Sequence, residues 1–195
     1  MSYLDTPDGS TPEVARLFEA DRASMGYVTN YTRLFGLRPE MYDAWAKLNG
    51  TVKAGMDLRR YELATLAAAQ ALRSSYCSLA HGSVLRDKFY DSDTVERIAA
   101  DYHGADLEPV DIAIMDFAAK VARNAPSVTA ADIEALRGHG LSDTDIFQVV
   151  LAVGARCFFS TVLDATGTEP DAQYRDRISP ELRDVLTVGR PIAAD

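Results

Sequence analysis

The chain has 195 residues, 47% of them hydrophobic and 25% charged, which is enough for a packed core and unlike a disordered protein. Twenty basic against twenty-nine acidic residues give a formal charge of −9, and that excess disfavours nucleic acid or an anionic membrane as partner, since both want clustered Lys and Arg. The N-terminal residues carry no basic apolar block, so a signal peptide is not expected, and no apolar stretch is expected to approach the roughly 20 residues that span a bilayer.

In chain order, residues 1–11 read as a mobile tail. Thr11-Pro12-Glu13 is a helix start, with Thr at the cap and Pro in the first turn, and it opens a helix from Pro12 to about Met25. Asn30 to Leu37 reads as another, and Pro39 opens a third through Trp45 and Leu48 that Gly50 should end. Leu58 to Arg73, rich in Ala, Leu and Glu, is the strongest helical stretch. Ser74-Ser75-Tyr76 interrupts it, and a second stretch runs from Cys77 to about Phe89. Val95 to Tyr102 should stop near Gly104, and a helix opened by Pro109 should end before Pro126. Thr129 with Asp132 and Ser142 with Asp145 look like capping boxes with Asp in place of Glu. The first opens a helix closed by Gly138 and Gly140; the second opens the long apolar helix from Ile146 to Leu163. Residues 172–195 read as a tail or as a clasp on a neighbouring subunit. The pattern holds no strand, so an all-α fold is expected, with one domain over residues 12–171.

A weak internal echo is present. Aligning Glu62 with Asp145 sets Arg73 on Arg156 and Tyr76 on Phe159. Two related helical hairpins would produce this, and so would chance similarity between two Ala-rich helices.

The candidate chemistry centres on Cys77. His81 stands four residues later, which on a helix puts both side chains on one face, about 6 Å apart at Cβ. Cys77 also falls near the start of its helix, where unpaired N–H groups and the dipole favour an anion. A thiolate is the nucleophilic form, and an imidazole can take the thiol proton and return it. The plainer alternative is a small core cysteine beside a space-filling histidine. Glu62 is the nearest carboxylate expected to face inward, but along one straight helix it would lie roughly 22 Å from Cys77. The two can cooperate only if the chain bends at Ser74-Ser75, or if a water or another subunit bridges them. Ser74 is either a helix cap or a hydroxyl at the site, and Tyr76 either packs or donates into it. His103 and His139 sit beside Gly at helix ends as surface residues, and Cys157 reads as buried and inert. The three histidines lack metal-ligand spacing, so no metal and no cofactor are expected. Two cysteines are too few for a disulfide scaffold, and reduced thiols in the cytoplasm are the expected setting.

The tract from Glu62-Leu-Ala to Ser74-Ser-Tyr-Cys77-Ser-Leu-Ala-His81 resembles the carboxymuconolactone decarboxylase and alkylhydroperoxidase D-like superfamily, especially its peroxidase-related branch. That pattern is a Glu, a Cys-x-x-Cys twelve residues on, and a His four after the second Cys. Tyr27-Val-Thr-Asn30, Arg38-Pro39, Trp45 and the stretch from Arg156 to Pro170 extend the likeness. The resemblance implies an all-helical fold built on a helical hairpin repeat, and assembly as a homo-oligomer. It implies a thiol that reduces peroxides, with Glu62 and His81 relaying protons to Cys77 and Ser74 and Tyr76 in support. The sequence departs from the pattern at Ser74, which replaces the first Cys. No disulfide can form there, so an external thiol or protein reductant is expected, with Cys157 the only internal alternative. A lactone decarboxylase using Arg73 or Arg86, and a non-catalytic redox sensor, are the competing readings.

Overall fold

The computed structural model describes residues 2–194, and every regular element among them is helical. The α-helices are α1 (Pro12–Met25), α2 (Asn30–Phe35), α3 (Pro39–Ala54), α4 (Leu58–Ala71), α5 (Ser75–Lys88), α6 (Ser92–Asp101), α7 (Pro109–Asn124), α8 (Ala130–Gly138), α9 (Asp143–Ala165), α10 (Tyr174–Arg177) and α11 (Pro180–Leu186). Short 3₁₀ turns follow α6 and α7.

The helix starts follow local chemistry. Pro stands in the first turn of α1, α3, α7 and α11, where its missing N–H is not needed. The Asp57, Asp91 and Ser142 side chains accept first-turn N–H groups at α4, α6 and α9. Asp132 and Asp145 reach back to the Thr129 and Ser142 N–H groups at 2.7 and 2.9 Å, completing the two capping boxes. Gly50 does not end α3, which runs on to Ala54. A lone Gly in a helix costs only about 1 kcal/mol relative to Ala, and inward contacts further along α3 outweigh it.

α4 is the axis of the molecule. Tyr61 through Ala69 are all buried, with α5, α7 and α9 packed around them. The small side chains of Ala64, Ala67, Ala68 and Ala69 let those helices approach closely. α9 packs across α4, α7 and α3. Its 23 residues, with an 18-residue stretch of mean hydropathy 1.9, are by length and composition enough to cross a membrane, contrary to the expectation from sequence. Here the helix has one face in the core, including Val149, Val153 and Leu163, and an outward face with Phe147, Leu151 and Phe158 exposed. The two tracts paired by the internal echo differ in setting: residues 73–77 form a corner, whereas 156–160 lie within one continuous helix.

The last segment does not hang free as a tail but packs into its own chain's core. Leu182 and Leu186 of α11 are fully buried against α5 and α6, and Ile192 and Ala193 are buried beyond them. Gly82 of α5 makes room for Leu186, because a Cβ there would meet the Leu186 methyls at 2.6 and 2.7 Å. The N-terminal segment also lies against the body. Tyr3 N–H donates to Thr166 O at 2.8 Å, and Tyr3 covers Gly167. Met1 and Asp195, the outer ends of these two segments, lie outside the described residues.

After α11 the chain crosses the corner between α4 and α5. Gly189 N–H donates to Ser75 Oγ at 2.7 Å, and a Cβ on Gly189 would sit 2.0 Å from the Arg73 carbonyl oxygen. Backbone cannot yield as a side-chain end can, so Gly189→Ala should cost about 1–3 kcal/mol. Thermal unfolding should then fall by about 2–12 °C. Gly138→Ala, where a Cβ meets nothing within 4 Å, is the control and should melt with the wild type. Equal melting of G189A and wild type would contradict the tight crossing.

Candidate active site

The site is made by a reversal of the chain. α4 ends at Ala71, Arg73 takes a left-handed conformation (φ 57°), and α5 begins at Ser75. A left-handed non-glycine residue costs roughly 1–2 kcal/mol. α5 therefore folds back along α4, which supplies the bend that Glu62 and Cys77 require.

His81 Nδ1 lies 2.5 Å from Glu62 Oε2 and 3.1 Å from Thr65 Oγ1. The second carboxylate oxygen of Glu62 accepts from Lys53 Nζ of α3 at 2.8 Å. Lys53 is partly exposed, with its ammonium over the Tyr61 ring, and the Glu62 side chain is only 1% exposed. Burial opposes the charge on Glu62, but the hydrogen bonds from His81 and Lys53 outweigh it and hold the carboxyl below its usual range. Burial pushes His81 down to about 4, with the Arg156 charge adding to the effect and the Glu62 hydrogen bond opposing it. At neutral pH the imidazole is thus uncharged. With Nδ1–H given to Glu62, Nε2 is left as the basic nitrogen.

Cys77 is the third residue of α5, in its first turn, and is 1% exposed. Its Sγ accepts from Arg156 Nη1 at 3.1 Å and from Ser160 Oγ at 3.2 Å. Arg156 and Ser160 stand four apart on the inward face of α9. Among the described residues no hydrogen bond joins Cys77 to His81. Sequence reasoning had Arg156 and Ser160 only as part of a general likeness; one signal was a charged residue in an otherwise apolar helix. Arg73 is exposed at the corner, and Arg86 is held by Asp87 and the Arg177 carbonyl, so neither is the basic group of this site.

The supporting residues divide. Ser74 is fully buried one turn before Cys77, makes no cap bond to α5, and lies beside the Asp164 carboxyl. Tyr76 points elsewhere: its hydroxyl donates to Asp171 Oδ2 at 2.6 Å, and Asp171 also takes Asn30 N–H at 2.7 Å. This ties α5 to the start of α2 and leaves no Tyr76 proton for Cys77. Cys157 is half-buried on a different face of α9 from Arg156, and both cysteines are free. His103 is exposed between Asp101 and Asp116, and His139 is exposed at the end of α8. No group of His, Cys, Asp and Glu among the described residues is arranged to hold a metal.

α3 roofs the site. Trp45 stacks on Phe159 with centroids 4.1 Å apart, Asn49 accepts from Tyr61 Oη at 2.7 Å, and Lys53 reaches Glu62. Val52 is the one residue of this helix that is fully covered.

Residues 39–106 match the family model "Carboxymuconolactone decarboxylase family". That window contains Glu62, Ser74, Cys77 and His81 and ends before α9. A peroxidase-related protein from Silicibacter sp. TM1040 is 27% identical, with 89% of this chain and 93% of that one covered and a TM-score of 0.79. The alkylhydroperoxidase AhpD core protein of Ralstonia eutropha JMP134, also peroxidase-related, is 24% identical over 89% and 94% of the two chains, with a TM-score of 0.79. The debrominase Bmp8, as a variant in complex with 2,3,4-tribromopyrrole, shares the fold at 14% identity over 93% and 97%, with a TM-score of 0.75. No curated protein matches the chain. The matched segment carries Glu62, Ser74, Cys77 and His81 and is similar to the carboxymuconolactone decarboxylase family, and the whole chain shares its all-helical fold with the peroxidase-related proteins.

Proposed function

We propose that this chain is a thiol-dependent, peroxidase-like antioxidant enzyme that reduces hydroperoxides at the single cysteine Cys77. The observation that carries the reading is a buried sulfur receiving two hydrogen bonds, four residues before an imidazole fixed by a carboxylate. The likeness to peroxidase-related proteins supports it.

In this reading the Cys77 proton passes to Nε2 of His81, and Glu62 stabilises the imidazolium that forms. With no direct bond between Cys77 and His81, the proton crosses through a water or the substrate. The sulfur lone pair attacks the terminal oxygen of the hydroperoxide; the S–O bond forms as the O–O bond breaks. The departing alkoxide takes the proton back from His81 and leaves as an alcohol. Cys77 becomes a sulfenic acid, oxidised by two electrons. With Ser74 in place of a second thiol and Cys157 on another face, reduction falls to an external small thiol or a protein reductant. One thiol forms a mixed disulfide and releases water, and a second frees Cys77 and leaves as a disulfide. A reducing cytoplasm suits this cycle. The exposed row Phe147, Leu151 and Phe158 suits assembly with further copies, as a trimer, hexamer or dimer. Substrate entry requires a local opening of the packing around α5 and α9, since Cys77 is closed to solvent.

Intact mass after one equivalent of an organic hydroperoxide, with a sulfenic-acid trap present, should show one adduct on the wild type and none on Cys77→Ala. An unmodified wild type, or activity surviving in C77A, would sink the peroxidase reading; the second result would favour lactone chemistry. His81→Asn should slow trapping by about 10²–10⁴-fold, the range for loss of a general acid–base group.

The pH dependence follows from the lowered His81. Its base function needs the neutral form, so it should persist down to about pH 5 and be lost as pH falls through about 4. An acid limb in the trapping rate near 6.5 would mean that the imidazole is not held as described.

A further inference from the structure

Arg156 is 4% exposed, yet among the described residues no carboxylate pairs with it. A guanidinium taken out of water needs a counter-charge, because an unpaired buried ion is far less stable than a paired one. Its Nη1 is spent on Cys77 Sγ, and its Nε is buried without a partner. The neighbouring Tyr61 hydroxyl gives its proton to Asn49. The Glu62 carboxylate is already taken by Lys53 and His81. The sulfur is the remaining atom in contact with Arg156 that can carry a negative charge.

We infer that Arg156 is a catalytic residue of this site: its buried guanidinium, with the Ser160 hydroxyl, stabilises the thiolate that forms at Cys77, while His81 carries the proton during turnover. The inference rests on the reading of Cys77 as the nucleophile and adds the group that charges it. The other groups around Cys77 agree with this division. On α5 itself, His81 is uncharged and makes no bond to the sulfur, and the Tyr76 proton is held by Asp171. α4 presents Tyr61 and the neutralised Glu62, and α3 reaches the site through Lys53 on Glu62. Tyr174, buried at α10, is kept protonated by burial and by Asp171. α6 and α11 offer Val95, Ile98, Leu182 and Leu186 to the core and no buried charge. A permanently charged partner makes the thiolate independent of the protonation of any neighbour, because Arg does not titrate in the working range.

The test reads the ultraviolet absorbance of the Cys77 thiolate between about pH 4 and 10, which needs neither access to the sulfur nor turnover. The Cys157→Ala protein serves as background and its Cys77→Ala derivative as the blank. On that background Arg156→Met should move the thiolate midpoint up by about 1–3 pH units, the usual effect of an adjacent opposite charge. Arg156→Lys should restore most of the shift, and His81→Asn should leave the midpoint in place. Arg156→Met replaces a buried ion by an apolar chain of similar length, and circular dichroism checks its fold. Should it not fold, Ser160→Ala removes the second donor with little change in packing and should move the midpoint the same way by a smaller amount. An unmoved midpoint in R156M, or in S160A where that is the variant read, overturns the inference, as does H81N shifting it as far as R156M. A midpoint set by Arg156 in a protein that no hydroperoxide oxidises would refute the peroxidase reading and leave this inference standing.

Discussion

The reversal at Leu72–Ser74 is the constraint on which the site depends. With α4 and α5 continuous, Glu62 and Cys77 would lie roughly 22 Å apart. With the chain folded back, His81 closes on Glu62 at 2.5 Å and Cys77 turns to face α9. The conformation is held from outside rather than by local preference. Arg73 is left-handed, with only the lack of a side chain at Gly189 allowing the C-terminal crossing to lie on its carbonyl. Asp171 fixes the far side of the same corner through Tyr76. The C-terminal segment thus belongs to the support of the site, although it contributes no reacting group.

Two charge systems meet at Cys77 without merging. Lys53, Glu62 and His81 form a chain from the surface inward, ending in a neutral imidazole with a free basic nitrogen. Arg156 and Ser160 form a second, attached to the sulfur itself. The two sets have separate hydrogen-bond partners, although the Arg156 charge also adds to the lowering of His81. The geometry around Cys77 is coherent with Ser74 buried one turn before it.

Much of the fold was legible because its signals are local. Pro in first turns, the Asp132 and Asp145 capping boxes and the 3–4 spacing of apolar residues placed most helices within a few residues. Cys77, His81 and Glu62 were legible because they lie within twenty residues of one another. Gly50 misled, since its small cost is outweighed by the inward contacts of Val52 and Lys53 beyond it. The C-terminal segment misled because Pro180, Gly189 and Pro191 look like punctuation, while the burial of Leu182 and Leu186 depends on surfaces roughly a hundred residues away. Arg156 was missed for the same reason: its meaning comes from a contact with a sulfur 79 residues earlier, which no local pattern encodes. Tyr76 shows the converse, a residue next to the nucleophile whose hydroxyl turns to another partner.

Trp45 is the chain's single tryptophan, and it lies where α3 meets the site, its ring stacked on Phe159 and its Nε1 shut from solvent without a partner. Phe159 in turn has the Arg156 guanidinium 5.5 Å from its ring centroid. The indole is therefore a built-in optical probe: its emission maximum and its quenching by neighbouring groups follow the packing of α3 against α9. Any movement of α3 relative to α9 becomes visible as intrinsic fluorescence, with no label attached.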